Sequence, residues 1–218
     1  MKLCDVLSAV TGFFKRLTSG SLFTRTVSAQ TVSVSTAVPD TLISPANVPA
    51  VATAGDKKTE FIKALRIAVL DGFEPLILYT QCYHETGNFK KIIGKYNYAG
   101  LKCPVSINPP IAGWDGTRLL VTTHETINGV SRKVIDAFCD FSSAEFFMSF
   151  YIYQIKRLYR EAYAERTDAT HFYHWLTRGK NRYATDLSYT DKLQKLYADL
   201  RANGEYAKMN AILENANG

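Results

Sequence analysis

The sequence predicts an α+β fold, predominantly helical, in which a small β-hairpin lobe faces a larger helical one. Three observations carry this. Apolar residues recur at helical spacing from Lys58 to about Gly87, and again from about Ser143 to Asn215. Residues 101–140 between them lose that period. Within that stretch Asn128-Gly129, a pair suited to positive φ, lies between two runs of strand character. Helices, then a hairpin, then helices is an α+β order, and two lobes with a cleft between them suit a polymer substrate.

The chain divides near residue 56. In residues 1–25, Leu3, Val6, Leu7, Val10, Phe14 and Leu17 form one apolar stripe at three- and four-residue intervals. This reads as an amphipathic docking helix, too short to stand alone in water. Plain disorder and a secretory signal peptide are the rivals; the latter has a basic start and Val27-Ser28-Ala29 as a loose cleavage site, but Asp5, Lys15, Arg16 and Arg25 fit it badly. Residues 26–55 carry Pro39, Pro45 and Pro49 and a single charge, Asp40, which reads as an extended linker or arm.

Residues 56–218 have the composition of a folded domain. Lys58 to Leu70 reads as a helix with Phe61, Leu65, Ile67 and Val69 among its apolar positions, broken at Asp71-Gly72. Pro75 is placed as the first residue of a second helix that stops near Gly87. Leu119, Val121 and Thr123 lead up the hairpin and Val134 to Phe138 lead back. Further helices are expected at about 143–163, 168–178, 188–202 and 205–215.

Composition excludes several classes. Hydrophobic residues at 46% and charged residues at 21% suit a globular domain, and no apolar run approaches the ~18 residues of a membrane span. The formal charge of +6 suits an acidic partner, such as a wall rich in carboxylates and phosphates, but no dense basic run or nucleic-acid motif appears. The four cysteines, Cys4, Cys82, Cys103 and Cys139, lack CxxC spacing; Cys82 and Cys139 look like small buried hydrophobes, and nothing selects a disulfide pairing.

Two carboxylates are candidates for chemistry. Glu85 ends the second helix, where the partial negative charge of a helix terminus and apolar neighbours favour a protonated acid. A protonated acid at neutral pH is what a glycosidic oxygen needs. Glu125 lies in the hairpin lobe after Thr123 and His124. Position and charge alone make this a weak signal.

The motifs strengthen it. Gln81-x-x-x-Glu85-Thr86-Gly87, then Asn97-Tyr98-Ala99-Gly100-Leu101-Lys102, then Thr123-His124-Glu125, then Tyr183-Ala184-Thr185-Asp186 with Tyr189 and Leu193, resemble the successive blocks of the bacterial and phage glucosaminidases. These are the flagellar-rod hydrolases, glycoside hydrolase family 73, with a mannosyl-glycoprotein endo-beta-N-acetylglucosaminidase-like domain; the match spans roughly residues 58 to 200. The resemblance implies a lysozyme-like bilobed domain that cleaves the β-1,4 bond between N-acetylglucosamine and N-acetylmuramic acid in peptidoglycan. It implies Glu85 as general acid, Glu125 as second carboxylate on the hairpin, and Tyr183 lining the cleft near the reacting sugar. Asn97 and Gly100 match positions that shape the groove wall. The second step stays open: Glu125 activates water, or the substrate's 2-acetamido group attacks while Glu125 or Tyr183 stabilises the charge. The chain departs from the family at Lys90–Lys95, at Asn88-Phe89 in place of an aromatic-glycine pair, and at Leu187 where proline is common.

Other residues divide between binding and packing. Trp114, on an irregular segment near Gly113 and Gly116, is a stacking platform for a sugar or a core plug; Tyr98 and Tyr189 are groove-wall or packing residues. His84 and His124 lack metal-ligand spacing, so neither a metal nor an organic cofactor is expected. Packing is expected of His171 and His174 beside Trp175, and of the Phe146–Tyr153 aromatic cluster. Asp186 is expected to cap the helix starting near Ser188 or to hold the Tyr183 loop. The expected role is thus a bacteriolytic wall hydrolase acting at the cell envelope, outside the cell or on a phage virion, attached through residues 1–55. The rivals are a muramidase or lytic transglycosylase on the same fold, or an inert wall-binding module.

Overall fold

The computed structural model describes residues 54–104, 108–127, 130–184, 186 and 188–216, with backbone alone at 54, 55, 124–127, 130 and 131. The expected docking helix, the linker up to residue 53, Cys4, the Asn128-Gly129 turn, Thr185 and Leu187 lie outside the described residues.

Helix α1 (Ala54–Leu70) begins two residues before the expected domain boundary. Its end is a Schellman turn: Phe73 N donates to Ala68 O and Gly72 N to Val69 O, with Gly72 at φ +84°. Glu74 caps α2 (Pro75–Glu85), its carboxylate accepting from Ile77 N at 3.1 Å, and Pro75 opens the first turn. The strands β1 (Arg118–Ile127) and β2 (Val130–Cys139) pair antiparallel from Arg118↔Cys139 to Ile127↔Val130. Ser143 caps α3 (Ala144–Leu158) and Asp168 caps α5 (Ala169–Arg178), each through its side chain. The last helices are α6 (Tyr189–Ala202) and α7 (Glu205–Asn215).

One expected helix is two. Leu158 ends α3, Tyr159 leaves the helical region at φ −127°, ψ 57°, and the short α4 (Arg160–Ala164) follows. Apolar spacing runs across this break and hides it. The kink seats the Tyr159 ring, 3% exposed, against Tyr183 at 5.8 Å.

The core forms around α2, which packs against α1 and α6, while α3 and α7 cover α1. Aromatic rings fill much of it. Phe61 lies within 4.9–6.4 Å of Tyr79, Phe89, Tyr98 and Phe147, distances at which tilted and edge-on pairs attract. The hairpin is rooted by residues 101–103, where Cys139 N donates to Leu101 O and Cys103 N to Ala137 O. Beyond that root it is a two-stranded ribbon, with Leu120 and Ile135 77% and 70% exposed on one face.

Phe89 combines a buried ring, 1% exposed, with a left-handed backbone at φ 58°. Asn88 and Gly87 before it are left-handed too. Left-handed φ in a residue with a Cβ is unfavourable by about 1–2 kcal/mol, whereas burying a Phe ring stabilises by about 3–5 kcal/mol. Packing wins. Chemical denaturation should show Phe89→Ala destabilised by about 3 kcal/mol or more, and Phe89→Gly no worse than Phe89→Ala, because glycine releases the backbone strain. A glycine variant clearly less stable than the alanine variant would refute the strain argument.

Candidate active site

Every residue of α2 from Leu76 to Cys82 is buried, and only its last turn surfaces. A buried helix, mostly apolar but with Thr80 and Gln81 enclosed, therefore carries Glu85 to the point where the core meets solvent, and the Glu85 side chain is half-buried there. Thr86 closes the helix. Its amide and its hydroxyl both donate to Cys82 O, at 3.0 and 2.6 Å, and its hydroxyl oxygen accepts from Phe89 N.

Two opposed influences set the protonation of Glu85. Burial disfavours the charge and pushes the carboxyl up to about 7, while the Tyr189 hydroxyl, donating to Oε1 at 2.5 Å, pulls it down. Burial and the charge of Glu85 hold Tyr189 well above the usual phenol range, so it keeps the proton that it donates. The result is an acid that holds its own proton near neutrality without being sealed from solvent.

Tyr189 is 0% exposed and its ring is gripped on two sides. His84 meets it edge-on at 5.6 Å and Tyr183 stacks on it at 5.8 Å. The half-buried Tyr183 donates its hydroxyl to Ala99 O at 3.0 Å. Ala99 belongs to a turn tied by Asn97, whose Nδ2 donates to Leu101 O and Cys139 O and whose Oδ1 accepts from Leu101 N. Gly100 supplies the φ of +59° that this turn needs. The blocks at Glu85, at Asn97–Leu101 and at Tyr183–Tyr189 thus form one connected wall.

The hairpin block is placed by its backbone. Glu125 pairs with Arg132, seven register positions from the Arg118↔Cys139 root, or roughly 23 Å along the strand at the usual rise. Position 125 has the parity of Leu119, Val121 and Thr123, the less exposed residues of β1, while Leu120 and Thr122 are exposed.

Four residues offered for the groove, as contact, wall or packing positions, are placed by the structure in packing roles. Trp114 is 0% exposed, donates Nε1–H to Thr117 O at 2.9 Å and packs 5.6 Å from Phe150, so it is a core plug with no face for a sugar. Tyr98 is 0% exposed, with its hydroxyl on Lys57 O. Asn97 is 1% exposed and spends its amide on backbone, so it shapes the wall from behind. Tyr189 is buried and reaches Glu85 rather than solvent.

Asp186 organises the entry to α6. It accepts from Ser188 N and Oγ and pairs with Lys192 at 2.7 Å, contacts that hold its carboxyl down to about 2, Lys192 foremost. Burial, then the Lys192 charge, lowers His84, keeping it neutral at pH 7. Among the described residues no group of three or more His, Cys, Asp or Glu side chains comes together. Gln81 opens the first motif, and its spacing alone assigns it no role. It lies one helical turn before Glu85 on the same face of α2, and its Nε2 lies 3.4 Å from the Tyr189 hydroxyl.

Comparison with known proteins shows the family and the fold. Residues 63–202 match the family described as mannosyl-glycoprotein endo-beta-N-acetylglucosaminidase. No curated protein sequence matches the chain. Among solved structures, a mutant peptidoglycan hydrolase from Sphingomonas sp. A1 shares 25% identity at a TM-score of 0.54, over 66% of this chain and 92% of that one. A truncated glycoside hydrolase domain of FlgJ from Salmonella typhimurium shares 26% at 0.53, over 69% and 99%. The catalytic domain of the autolysin Auto from Listeria monocytogenes, 20% identical over 70% and 89% at a TM-score of 0.53, has the same fold. The lysozyme-like architecture expected from the motifs is the fold of this chain. The matched span contains all four motif blocks, and the chain belongs to the mannosyl-glycoprotein endo-beta-N-acetylglucosaminidase family, as a glycoside hydrolase of the flagellar-rod type.

Proposed function

We propose that this chain cleaves the β-1,4 bond on the reducing side of N-acetylglucosamine in peptidoglycan, with Glu85 as the general acid. The observation that carries this reading is the half-buried Glu85 carboxyl at the end of a buried helix, bonded by Tyr189, where burial pushes its pKa up to about 7. Glu85 gives that proton to the glycosidic oxygen as the C1–O bond breaks, and the leaving sugar departs as a neutral alcohol. The peptidoglycan hydrolase of Sphingomonas and the FlgJ domain, at 25% and 26% identity, support the substrate class.

Glu125 is the proposed second carboxylate, carried by the hairpin. It either takes a proton from an attacking water or steadies the positive charge when the 2-acetamido group attacks. Tyr183 is proposed to face the reacting sugar with its half-exposed ring, its hydroxyl being engaged by Ala99 O. Residues 1–53, which carry the apolar stripe and the low-charge arm, are proposed to attach the enzyme to a larger assembly at the cell envelope or on a virion.

Glu85→Gln should lower turnover of purified sacculi by about 10²- to 10⁴-fold, the usual contribution of a positioned acid, while leaving the thermal midpoint near that of the wild type. Equal clearing by the two proteins removes Glu85 from the mechanism. Mass spectrometry of the digest should find N-acetylglucosamine at the new reducing ends, whereas muramic or anhydromuramic ends would establish the muramidase or transglycosylase reading.

The acid acts only while protonated, so activity should fall as pH rises from about 6 through about 7. A rate that instead climbs through that range would mean that Glu85 works as a base. Deleting residues 1–53, which ends just before α1, should preserve hydrolysis and abolish incorporation into particles or envelope; unchanged incorporation ends the attachment proposal.

A further inference from the structure

Glu85 has two oxygens, and only the one that holds the proton can deliver it. The Tyr189 hydroxyl donates to Oε1 at 2.5 Å. A tyrosine hydroxyl next to a carboxylic acid has two options: it donates to the acid or accepts from it. In the second arrangement the acid's proton would point into the core, away from any sugar. Gln81 favours the first. Its side chain is 0% exposed, and its Nε2 donates toward the Tyr189 oxygen from 3.4 Å, occupying the acceptor side of that hydroxyl.

We propose that Gln81 and Tyr189 are positioning residues that form a directed relay, Gln81 Nε2–H to Tyr189 Oη and Tyr189 Oη–H to Glu85 Oε1, which leaves the deliverable proton on Glu85 Oε2. The inference rests on the reading of Glu85 as the acid and adds the means by which the core aims it. No proton crosses the relay during reaction: Glu85 Oε2–H bonds to the glycosidic oxygen, the C1–O bond breaks, and the resulting carboxylate keeps the Tyr189 bond.

The surroundings make the relay rigid. The Tyr189 ring cannot swing, because Tyr183 stacks on it and His84 abuts its edge. Tyr183 is in turn tied to Ala99 O. Gln81 and Glu85 ride four residues apart on the same face of α2, so both ends of the relay share one rigid element. The relay also tunes the acid. A donor to Oε1 favours the ionised form, offsetting part of the rise that burial imposes. Removing the donor raises the pKa further, so the alkaline limb of the rate profile moves to higher pH.

The test compares wild type, Tyr189→Phe, Gln81→Met, the double variant and Glu85→Gln on purified sacculi, measuring the rate against pH. Alongside, infrared difference spectra follow the protonated-carboxyl band that Glu85→Gln lacks. The relay predicts an alkaline limb raised by about one pH unit in Tyr189→Phe, as for loss of one hydrogen bond to a charged group. It predicts a smaller shift in the same direction in Gln81→Met. The double variant should titrate with Tyr189→Phe, because Gln81 acts through Tyr189. Loss of stability without movement of the limb or of the carboxyl band overturns the relay, and so does a double-variant shift equal to the sum of the singles. Should Tyr189→Phe not fold, Gln81→Met decides alone: an unmoved limb and band overturn the relay. Undiminished activity in Glu85→Gln would instead defeat the reading of Glu85 itself, which keeps the two failures distinct.

Discussion

A carboxyl group set at the end of a buried helix resists ionisation, and the hydrogen bond between Tyr189 and Glu85 settles how strongly. Without burial the side chain would ionise well below neutrality. The bond spans 104 residues of sequence, so α2 and α6 must pack in one particular register for it to exist. That packing is the constraint to which the other features answer.

Aromatic side chains meet the constraint in two ways. Phe61, Phe89, Tyr98 and Phe147 fill the volume beneath α2 with interlocking rings, which leave little freedom for that helix to shift. Nearer the surface, Tyr159, Tyr183 and Tyr189 form a file of rings with hydroxyls, and each hydroxyl is a chance to tie the file to its surroundings. Tyr183 is tied to Ala99 and Tyr189 to Glu85. The kink at Tyr159 follows from the same demand: a straight helix would carry that ring out of the file.

The hairpin follows a different logic. Its root is held by Asn97, whose single amide group bonds the Leu101 and Cys139 carbonyls and so joins the groove turn to the foot of β2. Beyond the root two strands stand alone, a form with little stability of its own. One lobe thus holds Glu85 in a packed core while the other carries Glu125 on a slender ribbon.

The sequence by itself determined most of the elements and their ends, the break at Tyr159 excepted. Asp71-Gly72 and Pro75 marked the break between α1 and α2, and alternation about Asn128-Gly129 marked the paired strands, because turns, caps and periodicity are local chemistry. The motif blocks named the family and picked out Glu85. Tertiary structure alone decided what each aromatic residue does. Trp114 and Tyr98 looked as able to hold a sugar as to fill a core, and Tyr189 gave no sign of its partner. Burial and hydrogen bonding between distant segments belong to the packed whole: a ring's role depends on which neighbours close over it, and no window of sequence contains them.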